Sequence, residues 1–115
     1  LAFDDEEMKD ILELHAAVQD YYKLVFEAHK NRITNILITA KPQAEAITHL
    51  FRRMRSRHLS KLSTTQVDPL ICTHFPDVLA GYRRIKDHLL NIAEADAEEA
   101  RETTSYVLIG SNATA

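Results

Sequence analysis

A chain of 115 residues has room for one modest hydrophobic core and not for two. With 45% apolar and 27% charged residues it has the composition of a globular domain, which excludes global disorder. The net charge of −3 supplies no general attraction for nucleic acid or an anionic membrane, and the single cysteine, Cys72, excludes an internal disulfide and suits a reducing compartment. No window approaches the roughly 18 apolar residues of a membrane span, and no secretory signal is visible. The first residue is not Met, which leaves room for a longer polypeptide with a membrane part outside this stretch.

Helical spacing runs through the chain, while period-two alternation and Asn-Gly or Asp-Gly hairpin turns are missing. Met8, Ile11, His15, Val18, Tyr22, Val25 and His29 recur at three and four residues, which predicts a first helix over roughly 4–30 with that set toward the core. Asp4, Asp5, Glu6 and Glu7 open it and complement its dipole. The stripe changes phase near residues 29–33, as at a turn between helices, with Asn31 as the cap. A second helix, roughly 32–62, carries Ile33, Leu37, Ala40, Ala44, Ile47, Phe51, Met54 and His58. An interior proline costs about 3 kcal/mol. The stripe nevertheless stays in phase across Pro42, so we expect a kinked helix there in place of a loop at 39–42.

Asp68-Pro69 is a good N-cap followed by proline at the first helical position. It opens a third helix, roughly 69–103, kinked at Pro76, with Ile71, Phe75, Val78, Tyr82, Ile85, Leu89 and Ile92 toward the core. Residues 106–115 are expected to be a fraying tail. The whole predicts an all-α, up-down-up three-helix bundle over residues 1–105.

Chemistry is sparse. There is no glycine-rich phosphate loop, no cysteine pair for zinc, no HExxH, no nucleophile elbow and no ExxH of the di-iron bundles. Glu45 and His49 share a helix face at i,i+4, a spacing equally ordinary on a solvated helix. Three histidines, His15, His29 and His58, fall in the core stripes; they form a ligand cluster, or sit hydrogen-bonded at the bundle's edges, the reading we favour. The run FRRMRSRHLSKL gives a basic face of Arg52, Arg53, Arg55, Arg57 and Lys61. It contacts phosphates or pairs with acids on helices one and three, and we favour pairing.

In YRRIKDHLLNIAE the weak candidate metal ligands are Asp87, His88, Asn91 and Glu94. With Ile85 and Leu89 facing the core, Asp87 lies about 200° round from Ile85, on the outside. Two carboxylates at i,i+4 would hold a hard cation. Arg83 occupies the earlier position, so an ion-paired surface with no metal and no cofactor is expected. On helix one, Leu14, Tyr21 and Leu24 lie outside the core stripe, with Leu14 and Tyr21 seven apart on nearly one line. They are the expected interaction surface.

The stretches MRSRHLSKL and FPDVLAGYRRIKDHLLNIAEA resemble the second and third helices of a PhoU-like domain, in an order close to the version fused behind the membrane part of bacterial sodium/phosphate cotransporters. The family's second helix ends in an R-x-R-H-hydrophobic-x-x-L run, which Arg55, Arg57, His58, Leu59 and Leu62 supply here. Its third carries hydrophobic-E-R-I-x-D-H-x-x-N-I-A-E. Arg84, Ile85, Asp87, His88, Asn91, Ile92, Ala93 and Glu94 supply most of that. The likeness covers roughly residues 45–95; helix one agrees in amphipathic character alone.

The resemblance implies a non-catalytic regulatory module of a sodium-dependent phosphate transporter, on the cytoplasmic face of the bacterial inner membrane. Its implied partners are the membrane part of that transporter and a second copy of the chain, and not nucleic acid. Some PhoU-like proteins hold metal clusters through a Glu/Asp-x-x-x-Asp motif on this helix. Asp87 matches the last acid, but Arg83 stands at the first, so the ligand role is not carried over. The alternative is a metal-binding or histidine-phosphotransfer bundle with His88 reactive. Leu89 and Leu90 do not give that histidine the small polar neighbours it needs.

Overall fold

The computed structural model describes residues 3–64 and 68–114, with side chains to Thr103. Its described residues form three helices and no strand: α1 (Asp5–Lys30), α2 (Leu37–Thr64) and α3 (Pro69–Thr114). The first boundary follows from local chemistry. Asp4 Oδ1 accepts the Glu7 backbone N–H at 2.8 Å, and Glu7 Oε1 accepts the Asp4 N–H at 3.1 Å, a reciprocal capping box.

At the other end of α1, Asn31 is the C-cap and Arg32 enters the left-handed region at φ 54°. The Ile33 N–H then reaches the Ala28 carbonyl at 2.9 Å and the Arg32 N–H the His29 carbonyl at 3.3 Å. This is a Schellman closure with arginine where glycine is usual. It turns the chain away from helix, so α2 starts at Leu37 and not near residue 32 as the spacing suggested. Residues 33–36 bridge the two helices, with the Ala40 N–H on the Ile36 carbonyl at 2.8 Å.

Helix α2 runs through Pro42, so residues 39–42 are helix and not a loop. Asp68 caps α3 as expected, its Oδ1 accepting the Leu70 N–H at 2.8 Å. Helix α3 also runs through Pro76. It continues to Thr114, which corrects the end expected near 103 and the fraying tail beyond: past Asp96 no proline and only Gly110 oppose the helix. Its 46 residues span about 69 Å, close to the molecule's longest dimension of 74 Å.

Each helix packs on the other two. The α2 stripe is as expected from Ala40 on, with Ala40, Ala44, Ile47, Phe51, Met54 and His58 all buried, but Ile33 precedes the helix and is exposed and Leu37 is only half-buried. Helix α1 is turned. Its buried line is Glu7, Asp10, Leu14, Val18, Tyr21, Val25 and Ala28, whereas Met8 and Tyr22 are exposed. Leu14 and Tyr21 are therefore fully buried core residues and not a surface for a partner; Leu24 packs half-buried against the same cluster. The physical reason is continuity: from Leu14 to Ala28 this line is apolar at every step, while the expected one is broken by His15. Helix α3 is turned by about half a residue's rotation, roughly 50°. Phe75, Leu79, Lys86, Leu89 and Ala93 are buried, and Ile85 is 45% exposed, not core.

Leu14→Ala is expected to cost roughly 2–5 kcal/mol through the cavity it leaves, and Ile85→Ala less than about 1 kcal/mol, in urea melts. Arg32→Gly is expected to raise stability by about 0.5–1 kcal/mol, because glycine adopts the left-handed cap without the Cβ clash. The midpoint should move at unchanged slope.

Candidate functional site

The acidic start of α1 meets the basic end of α2. Lys61 pairs with Asp4 and lies 3.5 Å from Glu7; Arg57 pairs with Asp10 and with Glu6 at 3.2 Å; Arg53 pairs with Glu13 at 3.1 Å. The cations stand at four-residue steps along α2, and the acids at three- and four-residue steps along α1, so each rung draws on the face that one helical period repeats. Three of the five basic-face residues are used this way. Arg52 and Arg55 are exposed and form no ion pair among the described residues. The Arg53–Glu13 and Arg57–Glu6 pairs are about half exposed, so each is worth no more than about 1 kcal/mol.

Behind the ladder lie two buried titratable groups. The Glu7 side chain is 7% exposed and the His58 ring 2%, with Oε2 and Nδ1 3.6 Å apart, beyond hydrogen-bond reach. Glu7 Oε2 and both ring nitrogens of His58 are without a hydrogen bond of good geometry. The ring lies against Phe75, centroids 4.8 Å apart. Burial holds His58 below the ordinary imidazole range, outweighing the Cys72 backbone, which favours the charged ring. Pro76 has no N–H to give the Cys72 carbonyl four residues earlier, which leaves that carbonyl directed to another donor. Burial first, then the neighbouring Glu6 and Asp10 carboxylates, pushes Glu7 above the usual carboxylate range.

A cavity of about 340 Å³ opens beside the pair, walled also by Glu6, Asp10, Arg57 and Ser60. Chemically, the arrangement holds one carboxyl and one imidazole, neither favoured in its charged form, across the α1–α2 seam. A third buried titratable group, the Tyr21 hydroxyl, has no hydrogen-bond partner among the described residues, and burial and Glu94 push its pKa up to about 12.

The remaining sequence candidates stay apart. His15 Nδ1 meets the Tyr82 hydroxyl at 2.9 Å and His29 Nδ1 meets Asp96 at 2.8 Å, both at the edge between α1 and α3. With His58 at the α1–α2 seam, the three histidines form no cluster. Asp87 has the expected Arg83 partner, at 3.9 Å, and also Lys86 Nζ at 2.5 Å. Lys86 is buried and donates to Thr48 Oγ1 at 2.9 Å, so Asp87 is held from two sides. His88, Asn91 and Glu94 are exposed, as are Glu45 and His49. Among the described residues no three His, Cys, Asp or Glu side chains converge where a metal ion would sit.

Sequence reasoning missed Glu7 and Asp10 as buried partners of α2. The signal was there: counting back four and seven from Leu14 places both acids on its line, toward the end where Arg57 and His58 lie. Lys86 gave no comparable signal. Comparison of the chain with protein-family models, curated proteins and solved structures finds no match.

The pH dependence of stability tests this pair. A histidine held below its unfolded value contributes stability at high pH that is lost as pH falls through and below about 6.5. Glu7, held above its unfolded value near 4.5, acts in the opposite sense, its cost easing on acidification. The stability of wild type relative to His58→Phe should therefore fall as pH drops from above 6.5 toward 5, read from urea melts. A difference that stays flat across that interval refutes the assignment.

Proposed function

We propose that this chain is a PhoU-like module, an up-down-up bundle bent at Pro42 and Pro76, that regulates a sodium-dependent phosphate transporter by contact and without catalysis. The observation that carries the reading is the pair of motif runs, R-x-R-H and R-I-x-D-H-x-x-N-I-A-E, on the neighbouring helices α2 and α3. Their residues serve the bundle: Arg57 pairs with α1, His58 packs on Phe75, Asp87 is ion-paired and Ala93 is in the core. A non-catalytic role fits side chains that are engaged with one another. No described helix is long and apolar enough to cross a membrane. On the reading proposed, the module acts on the membrane part from the cytoplasmic face of the inner membrane, as the resemblance implies.

Sodium-dependent uptake of radiolabelled phosphate, in cells carrying the whole gene or the gene lacking the codons for residues 1–105, tests this. Uptake is expected to persist in the deletion with its half-saturating phosphate or maximal rate shifted severalfold. A gene with no membrane helices outside this segment, or identical uptake from both forms, would overturn the proposal.

A further inference from the structure

Helix α1 carries a second line of side chains that its own bundle leaves uncovered. Met8, Leu12, His15, Gln19, Tyr22 and Phe26 recur at steps of four and three, which sets them on one line nearly parallel to the axis. All six are exposed, Leu12 at 61%, and none is Asp, Glu, Lys or Arg. A helix face that meets only water is normally charged. Tyr22 and Phe26 stack on each other with centroids 4.6 Å apart.

Helix α3 presents a matching line across the seam. The His15–Tyr82 bond marks that seam, and beyond Tyr82 come Val78, Gly81, Ile85, His88 and Ile92, again without a charged residue. Gly81 is an interior helical glycine, a choice that costs about 1 kcal/mol against alanine. A Cβ there would meet nothing within 4 Å, so its own bundle does not require the glycine. A second backbone approaching closely would.

We infer that this α1–α3 face is where two copies of the chain associate about a two-fold axis running along the seam. Size supports it. The face is about 27 Å long and two helices wide, on the order of 500 Å² in flat projection and more over its side chains. That is the scale of a specific interface, roughly 800 Å² of accessible surface per partner. Charge supports a second copy over a lipid surface, which would favour a uniformly basic flank. The α1 rim of the face is mixed, with Lys9, Lys23 and Lys30 against Asp5 and Glu27, one positive charge in excess. The α3 rim, Asp77 and Glu99 against Arg84, has one negative charge in excess.

The proposed axis lays the α1 rim of one copy over the α3 rim of the other. The two helices run in register with a 67-residue offset, seen in His15–Tyr82 and His29–Asp96. Lys9 therefore stands level with Asp77 of the second copy. The inference holds whether or not the chain belongs to a transporter.

Sedimentation equilibrium of the 115-residue chain from micromolar to millimolar concentration tests it. Wild type and Ile38→Glu, which alters an exposed apolar residue off this face, are expected to be dimers. Leu12→Glu/Ile85→Glu is expected to lose association about tenfold or more at unchanged helicity. If that variant loses helicity, Gln19→Arg on the same line is read in its place, with the same expected loss. Lys9→Asp and Asp77→Lys should each weaken the dimer, and their combination should recover it. A wild type that stays monomeric throughout, including one that instead co-sediments with phosphatidylglycerol vesicles, overturns the inference. So does a dimer indifferent to every substitution on the face.

Discussion

The meeting of the acidic start of α1 with the basic end of α2 sets the terms for the rest of the molecule. Carboxylates at a helix start and cations at a helix end each complement their own dipole. Bringing the start of α1 beside the end of α2 lets the terminal charges Asp4, Glu6 and Lys61 also be neutralised across the seam, and adds the interior pairs of Asp10 with Arg57 and Glu13 with Arg53. Exposed pairs contribute little singly. Their value lies in register: sliding α1 by one turn would misalign the rungs and leave Glu7 or His58 buried against the wrong neighbour.

Helix α3 closes the bundle over that seam. Phe75 covers the His58 ring, and Lys86 reaches back to Thr48 on α2 while still holding Asp87 outside. The buried ammonium is tolerable because its polar end finds a hydroxyl and a carboxylate, while its stem covers apolar surface. Pro76 fits the same pattern. A proline that deprives a carbonyl of its helical donor is placed where a buried imidazole from α2 lies near that carbonyl's residue, Cys72.

These engagements bear on function. His15 and His29 are committed to edge hydrogen bonds, the His58 ring to packing on Phe75, and Asp10 and Asp87 to ion pairs, whereas Glu45, His49, His88 and Glu94 stand exposed. Also at the surface are the uncharged α1–α3 face and exposed arginines, Arg52 and Arg55 among them, that form no ion pair among the described residues.

The sequence by itself determined that there are three helices, though not where α2 starts or α3 ends, and it determined the Asp68 cap and the buried line of α2 from Ala40 on, because dihedral preferences, capping chemistry and a single unambiguous stripe are local properties. It also determined the Arg83–Asp87 pair, which needs only one helix. Tertiary structure decided the rotation of α1 and α3. Helix α1 carries two apolar lines, one through Leu14 and Tyr21 and one through Met8 and Tyr22, roughly 120° apart. Either could be buried, and only packing on two neighbours at once selected the continuous one. The Glu7–His58 pair and the buried Lys86 were likewise out of reach, since each depends on which residues of distant helices come level with one another.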